Sequence, residues 1–159
     1  MQKIFPHLHT VYLLTIGSSI GVLLALGIFV APVIFKSHLL LPHLPLSHYD
    51  MGIVMTQIFV KANFLLFMTA CIIALFELYE SRFQAKKSSL SLLFGSLSII
   101  AIFLFTLYYT PYILNTQRLG EEATQTEAFA SMHAQSVLTF KLLALSLIGL
   151  FVSRLTART

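Results

Sequence analysis

Four long apolar runs alternate along the chain with short polar stretches. A helix that crosses a bilayer needs about 20 mostly apolar residues. Runs at residues 11–35, 51–81, 89–114 and 131–153 meet that length. Their residues do not alternate between polar and apolar, as strands of a membrane barrel would. The pattern therefore predicts an all-α fold, a four-helix transmembrane bundle within a single integral membrane domain over residues 1–159. The first run is far longer than the roughly 7–15 apolar residues of a signal peptide. The chain starts at Met1, and the run is expected to stay as a true span. Gly17, Gly21 and Gly27 in this run would weaken a soluble helix. In a membrane they allow close packing, and they offer a face to a second copy or to a membrane partner protein.

The polar stretches set the helix ends. Ser37–Asp50 carries the breakers Pro42 and Pro45 and reads as a loop. Ser47 or Asp50 is the expected N-cap of the second span. Asn115–Glu127 is polar and acidic, with a predicted break at Leu119–Gly120. The two halves also resemble each other. Ala31-Pro32-Val33-Ile34-Phe35 closes the first run and Thr110-Pro111-Tyr112-Ile113-Leu114 closes the third. Lys61 follows Pro32 by 29 residues, and Lys141 follows Pro111 by 30. This spacing predicts two similar helical hairpins that place a lysine at matching depth. In membrane proteins built of parallel repeats, sites tend to lie at the repeat interface.

Composition agrees with the membrane reading. The chain is 57% hydrophobic and 10% charged, with mean hydropathy +0.86. A soluble domain carries about 25% charged residues. Lys3, Arg82, Lys86, Lys87, Arg154 and Arg158 gather on the side shared by both termini. By the positive-inside rule this predicts an N-in/C-in protein of a bacterial inner (cytoplasmic) membrane. The net charge of +4 then reflects topology, and nucleic acid is excluded as a partner because no basic, aromatic-studded face lies outside the bilayer. Cys71, the one cysteine, is expected to be a packing residue.

Ionisable residues inside a span are costly and mark candidate sites. Lys61, Glu77, His133 and Lys141 qualify, with Glu77 expected at the interface. Ile53, Gln57 and Lys61 share one helical stripe, and Thr56 and Asn63 lie near it. Lys141 lies eight residues, or about 12 Å, below His133, and its stem can snorkel toward His133 and Ser136. The predicted ligand site is Gln57, Lys61, Asn63, His133, Ser136 and Lys141. Two lysines favour an anionic ligand or an acidic lipid headgroup. A separate metal reading takes His38, His43, His48 and His133, with Met51, Met55 and Met132 nearby as soft ligands for copper. A haem reading takes His133 as an axial ligand, with Met55 or Met68 opposite. No catalytic nucleophile–base arrangement and no phosphate-binding glycine loop is present.

The stretches Gly27-Ile28-Phe29-Val30-Ala31-Pro32-Val33-Ile34-Phe35 and Met51-Gly52-Ile53-Val54-Met55-Thr56-Gln57-Ile58-Phe59, with Phe129, His133 and Ser136, carry a resemblance. Over nearly its whole length the chain resembles the DUF4149 family, also called TMEM205-like, of small four-span membrane proteins. That family is distantly similar to the CopD copper-resistance membrane domains and to the HemJ-type protoporphyrinogen oxidases. The resemblance implies the fold and leaves the activity open. HemJ-type proteins rely on membrane histidine and lysine residues, and here His133 and Lys141 are the pair of that kind. The histidine expected inside the first run is absent, since His7 and His9 precede that run. Four readings follow: a non-enzymatic binding or transport-associated protein with a polar site opening outward, a copper-handling protein, a haem-dependent oxidoreductase, and an accessory subunit.

Overall fold

A computed structural model describes residues 5–44, 46–83 and 89–156. Pro45 and the charges of Lys3, Lys86, Lys87 and Arg158 lie outside the described residues. The first span joins α1 (Phe5–Ala25) to α2 (Ala31–Phe35) through one π-helical stretch, Leu26–Val30. After the short α3 (Ser37–Leu40), the second span is the single helix α4 (His48–Phe83). The third joins α5 (Ser89–Phe103) to α6 (Thr110–Arg118) through a second π-helical stretch, Leu104–Tyr109. A short α7 (Glu121–Thr124) leads to α8 (Glu127–Thr156), the fourth span. No strand occurs among the described residues. The helix α1 packs on α4 and α8, and α5 packs on the same two from the other side. Each span thus neighbours the next, and the fourth closes on the first. The result is an all-α four-helix bundle of membrane-spanning helices.

Local chemistry fixes the helix ends. Ser47 caps α4: the Asp50 backbone N–H donates to Ser47 Oγ at 3.1 Å, while Ser47 N–H and Oγ–H donate to Asp50 Oδ2 at 3.0 and 2.8 Å. This is a reciprocal capping box, with Ser47 at the cap and Asp50 in the first turn. Thr126 caps α8 through the Phe129 backbone N–H at 3.2 Å. Gly120 ends α6 with φ of 108°, a conformation that a side chain would strain. The third and fourth spans run past the predicted limits, to Arg118 and back to Glu127. Their added turns are polar and stand clear of the apolar runs on which those limits rested. The first helix also reaches back over His7 and His9, so a buried histidine, His9, does sit in the first span.

The two π-helical stretches have one cause. A proline has no N–H for the carbonyl four residues back, and its ring crowds that carbonyl. Just before Pro32, the Ala31 N–H reaches five residues back to Leu26 O. Just before Pro111, the Thr110 N–H reaches five back to Phe105 O, and Thr110 Oγ1 donates to the same oxygen at 2.8 Å. The widened turns absorb the missing bonds without breaking either span.

Burial repeats in the same way. Pro32 and Pro111 are 79 positions apart, and at that offset buried Tyr12, Ile16, Ser19, Leu23 and Leu26 match buried Ser91, Gly95, Ser98, Ile102 and Phe105. Between the second and fourth spans the offset is 77: Leu66, Thr69, Ala70 and Ile73 match Leu143, Ser146, Leu147 and Leu150. Matching hydroxyl pairs pin each hairpin, Ser19 to Thr69 at 2.7 Å and Ser98 to Ser146 at 2.9 Å. The lysines break this register. Lys61 corresponds to Leu138 and Lys141 to Phe64, three positions away in each case. The near-equal proline–lysine spacing, 29 and 30 residues, therefore does not give equivalent lysines, because the second hairpin is two residues shorter between its spans. Cys71 is exposed on the outward face of α4 instead of packing in the core.

Candidate functional site

The loop side, opposite the termini, holds a large cavity. It measures about 800 Å³ and is lined by residues of all four spans, the fourth contributing most. Both π-helical stretches border it, through Gly27 and Ile28 on one side and Phe105 on the other. Its walls are mostly apolar. Phe59, Phe105 and Phe140 meet there in mutual ring contacts of 5.4–5.7 Å. Polar side chains ring the mouth: His48, Gln117, Glu121, Gln125 and His133. His48 leans on Phe35 at 5.2 Å, and His133 stacks on Phe129 at 6.1 Å. Gln117 is buried, with Oε1 lacking a hydrogen-bond partner.

The equivalent groove between the third and second spans measures about 480 Å³ and is lined by Gln57, Val60, Leu114 and Arg118 among others. Side-chain size separates the two repeats. Where the large cavity has Leu24, Gly27 and Ala144, the corresponding positions of the other repeat hold Phe103, Thr106 and Phe67, which do not line the smaller groove. Phe67 and Phe103 close on each other edge to face at 5.9 Å. The scaffold thus carries two aromatic rings on one side where the cavity side has a leucine and an alanine.

The predicted ligand residues divide between these places. His133, Ser136 and Lys141 line the large cavity. Ser136 is buried and donates to His133 O at 2.7 Å. Gln57 lines the smaller groove instead. Lys61 is exposed and Asn63 half-buried, and neither lines either cavity. Lys141 stands 14 residues from Glu127 and 15 from Thr156, at the middle of its span. Among the described residues it has no hydrogen-bond or ion-pair partner. Of the histidines considered for metal, His48 and His133 share the cavity mouth, whereas His38 and His43 line neither cavity. Among the described residues no three His, Cys, Asp or Glu side chains converge as a metal site requires.

A second polar cluster, at the termini side, was not foreseen. Arg154 is only 4% exposed, and Arg154 Nη2 donates to Glu77 Oε1 at 2.6 Å. Its Nη1 donates to Glu80 Oε2. Tyr12 Oη–H donates to the same Glu77 oxygen at 2.9 Å, and the Tyr12 ring stacks on Phe76 at 4.0 Å. The guanidinium lies 5.9 and 5.5 Å from those two ring centroids. Glu77 is therefore the partner of a buried arginine, and Arg154 is no free tail charge. Glu77 and Arg154 stand at matching positions of the two repeats, an acid in one and a base in the other.

Comparison with protein families decides the kinship. A family model described as a domain of unknown function, DUF4149, matches residues 14–122. The chain belongs to the DUF4149 family. The match takes in the first three spans of this DUF4149 chain, with both proline–π elements, and stops before α8. His133, Ser136, Lys141 and Arg154 thus lie beyond it, and their roles rest on geometry alone. Neither the curated proteins nor the solved structures gave a match.

Proposed function

We propose that the protein is a binding or transport-associated component of a bacterial inner membrane, which takes a membrane-soluble molecule into the cavity on its loop side. Both termini lie in the cytoplasm, so the polar mouth opens to the outer side. One observation carries this reading: an apolar cavity of about 800 Å³ is lined at mid-span by a lysine that has no partner among the described residues. Ligand pockets typically measure about 300–1,000 Å³, with apolar walls and a few polar groups. A polar or ionisable side chain facing a cavity at membrane depth marks a ligand or ion pathway more often than packing.

The matching positions of the other repeat, where Phe67 and Phe103 close on each other, support the same conclusion. Had the cavity been a mere packing fault, the aromatic solution was available on this scaffold. Native mass spectrometry of protein released from mild detergent tests the proposal. The unaltered chain is expected to carry one adduct per molecule, and Ala144→Phe to lose it while keeping its thermal stability. Equal adduct occupancy in both proteins contradicts the proposal.

A further inference from the structure

Part of the cavity lining also faces outward. Leu24, Ile28, Val137 and Leu145 make up this part, Ile28 being 59% exposed and Leu145 63%. These residues belong to the apolar belts of the first and fourth spans, so the opening between them faces lipid chains and not water. Lys141, itself exposed, is the one Lys or Arg of the lining. Glu121, the one acid of the lining, belongs to α7 at the mouth. At 1.5 Å per residue, Lys141 starts about 21 Å along α8 from its first residue, Glu127. A cation there without a partner draws a counter-charge into the cavity.

We infer that the occupant is a single-chain amphiphile with an anionic head, admitted sideways from the bilayer between the first and fourth spans. Its head meets Lys141 inside the cavity. Its chain leaves through the opening flanked by Ile28 and Leu145. The inference rests on reading the cavity as a binding site and adds the charge of the ligand and its route. A carboxylate and a phosphate head share this chemistry, and the test separates them. A neutral molecule in the same space would leave Lys141 unpaired.

The chain has no tryptophan, so one introduced indole reports alone. Leu145→Trp places it at the opening, and Leu138→Trp, on an exposed position outside the cavity, is the control. Both proteins are reconstituted in phosphatidylcholine vesicles. Brominated oleic acid, brominated lysophosphatidic acid or brominated phosphatidylcholine is then added as quencher. At Leu145→Trp, one of the two anionic quenchers is expected to saturate at a mole fraction at least tenfold below that of the neutral lipid. Which of them does so identifies the head. Leu138→Trp should show no such preference. Adding Lys141→Met should abolish the tenfold difference, and Lys141→Arg should keep it. Equal titrations for all three quenchers at Leu145→Trp, or a preference that survives Lys141→Met, overturns the inference. If a neutral quencher still saturates there in preference to Leu138→Trp, the cavity reading stands without its anionic ligand. If no quencher distinguishes the two positions, the cavity reading falls as well.

Discussion

Arg154 stands one turn from the end of its helix, where an arginine would ordinarily reach the headgroups. Instead it turns inward and bridges Glu77 and Glu80 beneath the Tyr12 ring. Removing one member of a buried ion pair leaves charge without compensation and costs about 3–5 kcal/mol. Arg154→Met is therefore expected to destabilise the bundle by about that much, because the Glu77 and Glu80 carboxylates lose their shared cation. Adding Glu77→Gln should restore part of the loss. Thermal unfolding of the single and double variants in one detergent reads the coupling, and additive losses would show that the pair is not coupled. The sequence hid this cluster for a physical reason. A basic residue after an apolar run reads as a topological charge, and nothing local shows that its partners lie 74 and 77 positions away. One signal was available: Tyr12 falls in the first turn of its run, and Glu77, Glu80 and Arg154 at the ends of theirs, so all four lie at the same end of the bundle.

Among the elements, the fourth span fits its neighbours most tightly. A Cβ on Gly149 would stand 2.7–2.8 Å from the ring of Phe94 on α5. Van der Waals packing holds membrane helices together, since lipid chains are as apolar as leucine. Gly149→Ala is expected to push α8 from α5 at a cost of about 1–3 kcal/mol, the usual range for overpacking. Phe94→Leu in the same chain should recover most of it. If Gly149→Ala unfolds at the same temperature as the parent, this contact does not fix the helix pair. The spans, the Ser47 cap and the Gly120 break were legible because each has a local cause: an apolar run, a capping side chain, a residue free to take positive φ. The π-helical stretches were half legible. Pro32 and Pro111 marked the places, but a proline near a span end fits an ended helix as well as a continued one. Only the structure shows that Ala31 and Thr110 bond five residues back and carry the helix on.

At the scale of the whole molecule, the repeat and its failure belong together. Two hairpins share buried positions and hydroxyl pins through the lower bundle. They part toward the loop side, where Met51, Met55 and Thr56 are buried but the corresponding Ala128, Met132 and His133 are not. The sequence announced the repeat through its prolines. It misjudged the lysines, because a two-residue difference in loop length shifts register and turns a side chain to another face. The candidate site was accordingly half legible: His133, Ser136 and Lys141 come together, whereas Gln57, Lys61 and Asn63 do not join them. Gly27 and Ala144 gave no chemical signal at all, since what they contribute is space, where their counterparts Thr106 and Phe67 carry bulk.

The central claim is that this space exists and is occupied in a membrane. A crystal structure of the protein grown from a lipidic mesophase tests it most directly. The account predicts elongated density between Leu24 and Leu145 that reaches Lys141, with Phe140 held back from the gap. A first and fourth span closed on each other, with Phe140 or lipid-facing leucines filling the space and no density beside Lys141, would contradict it.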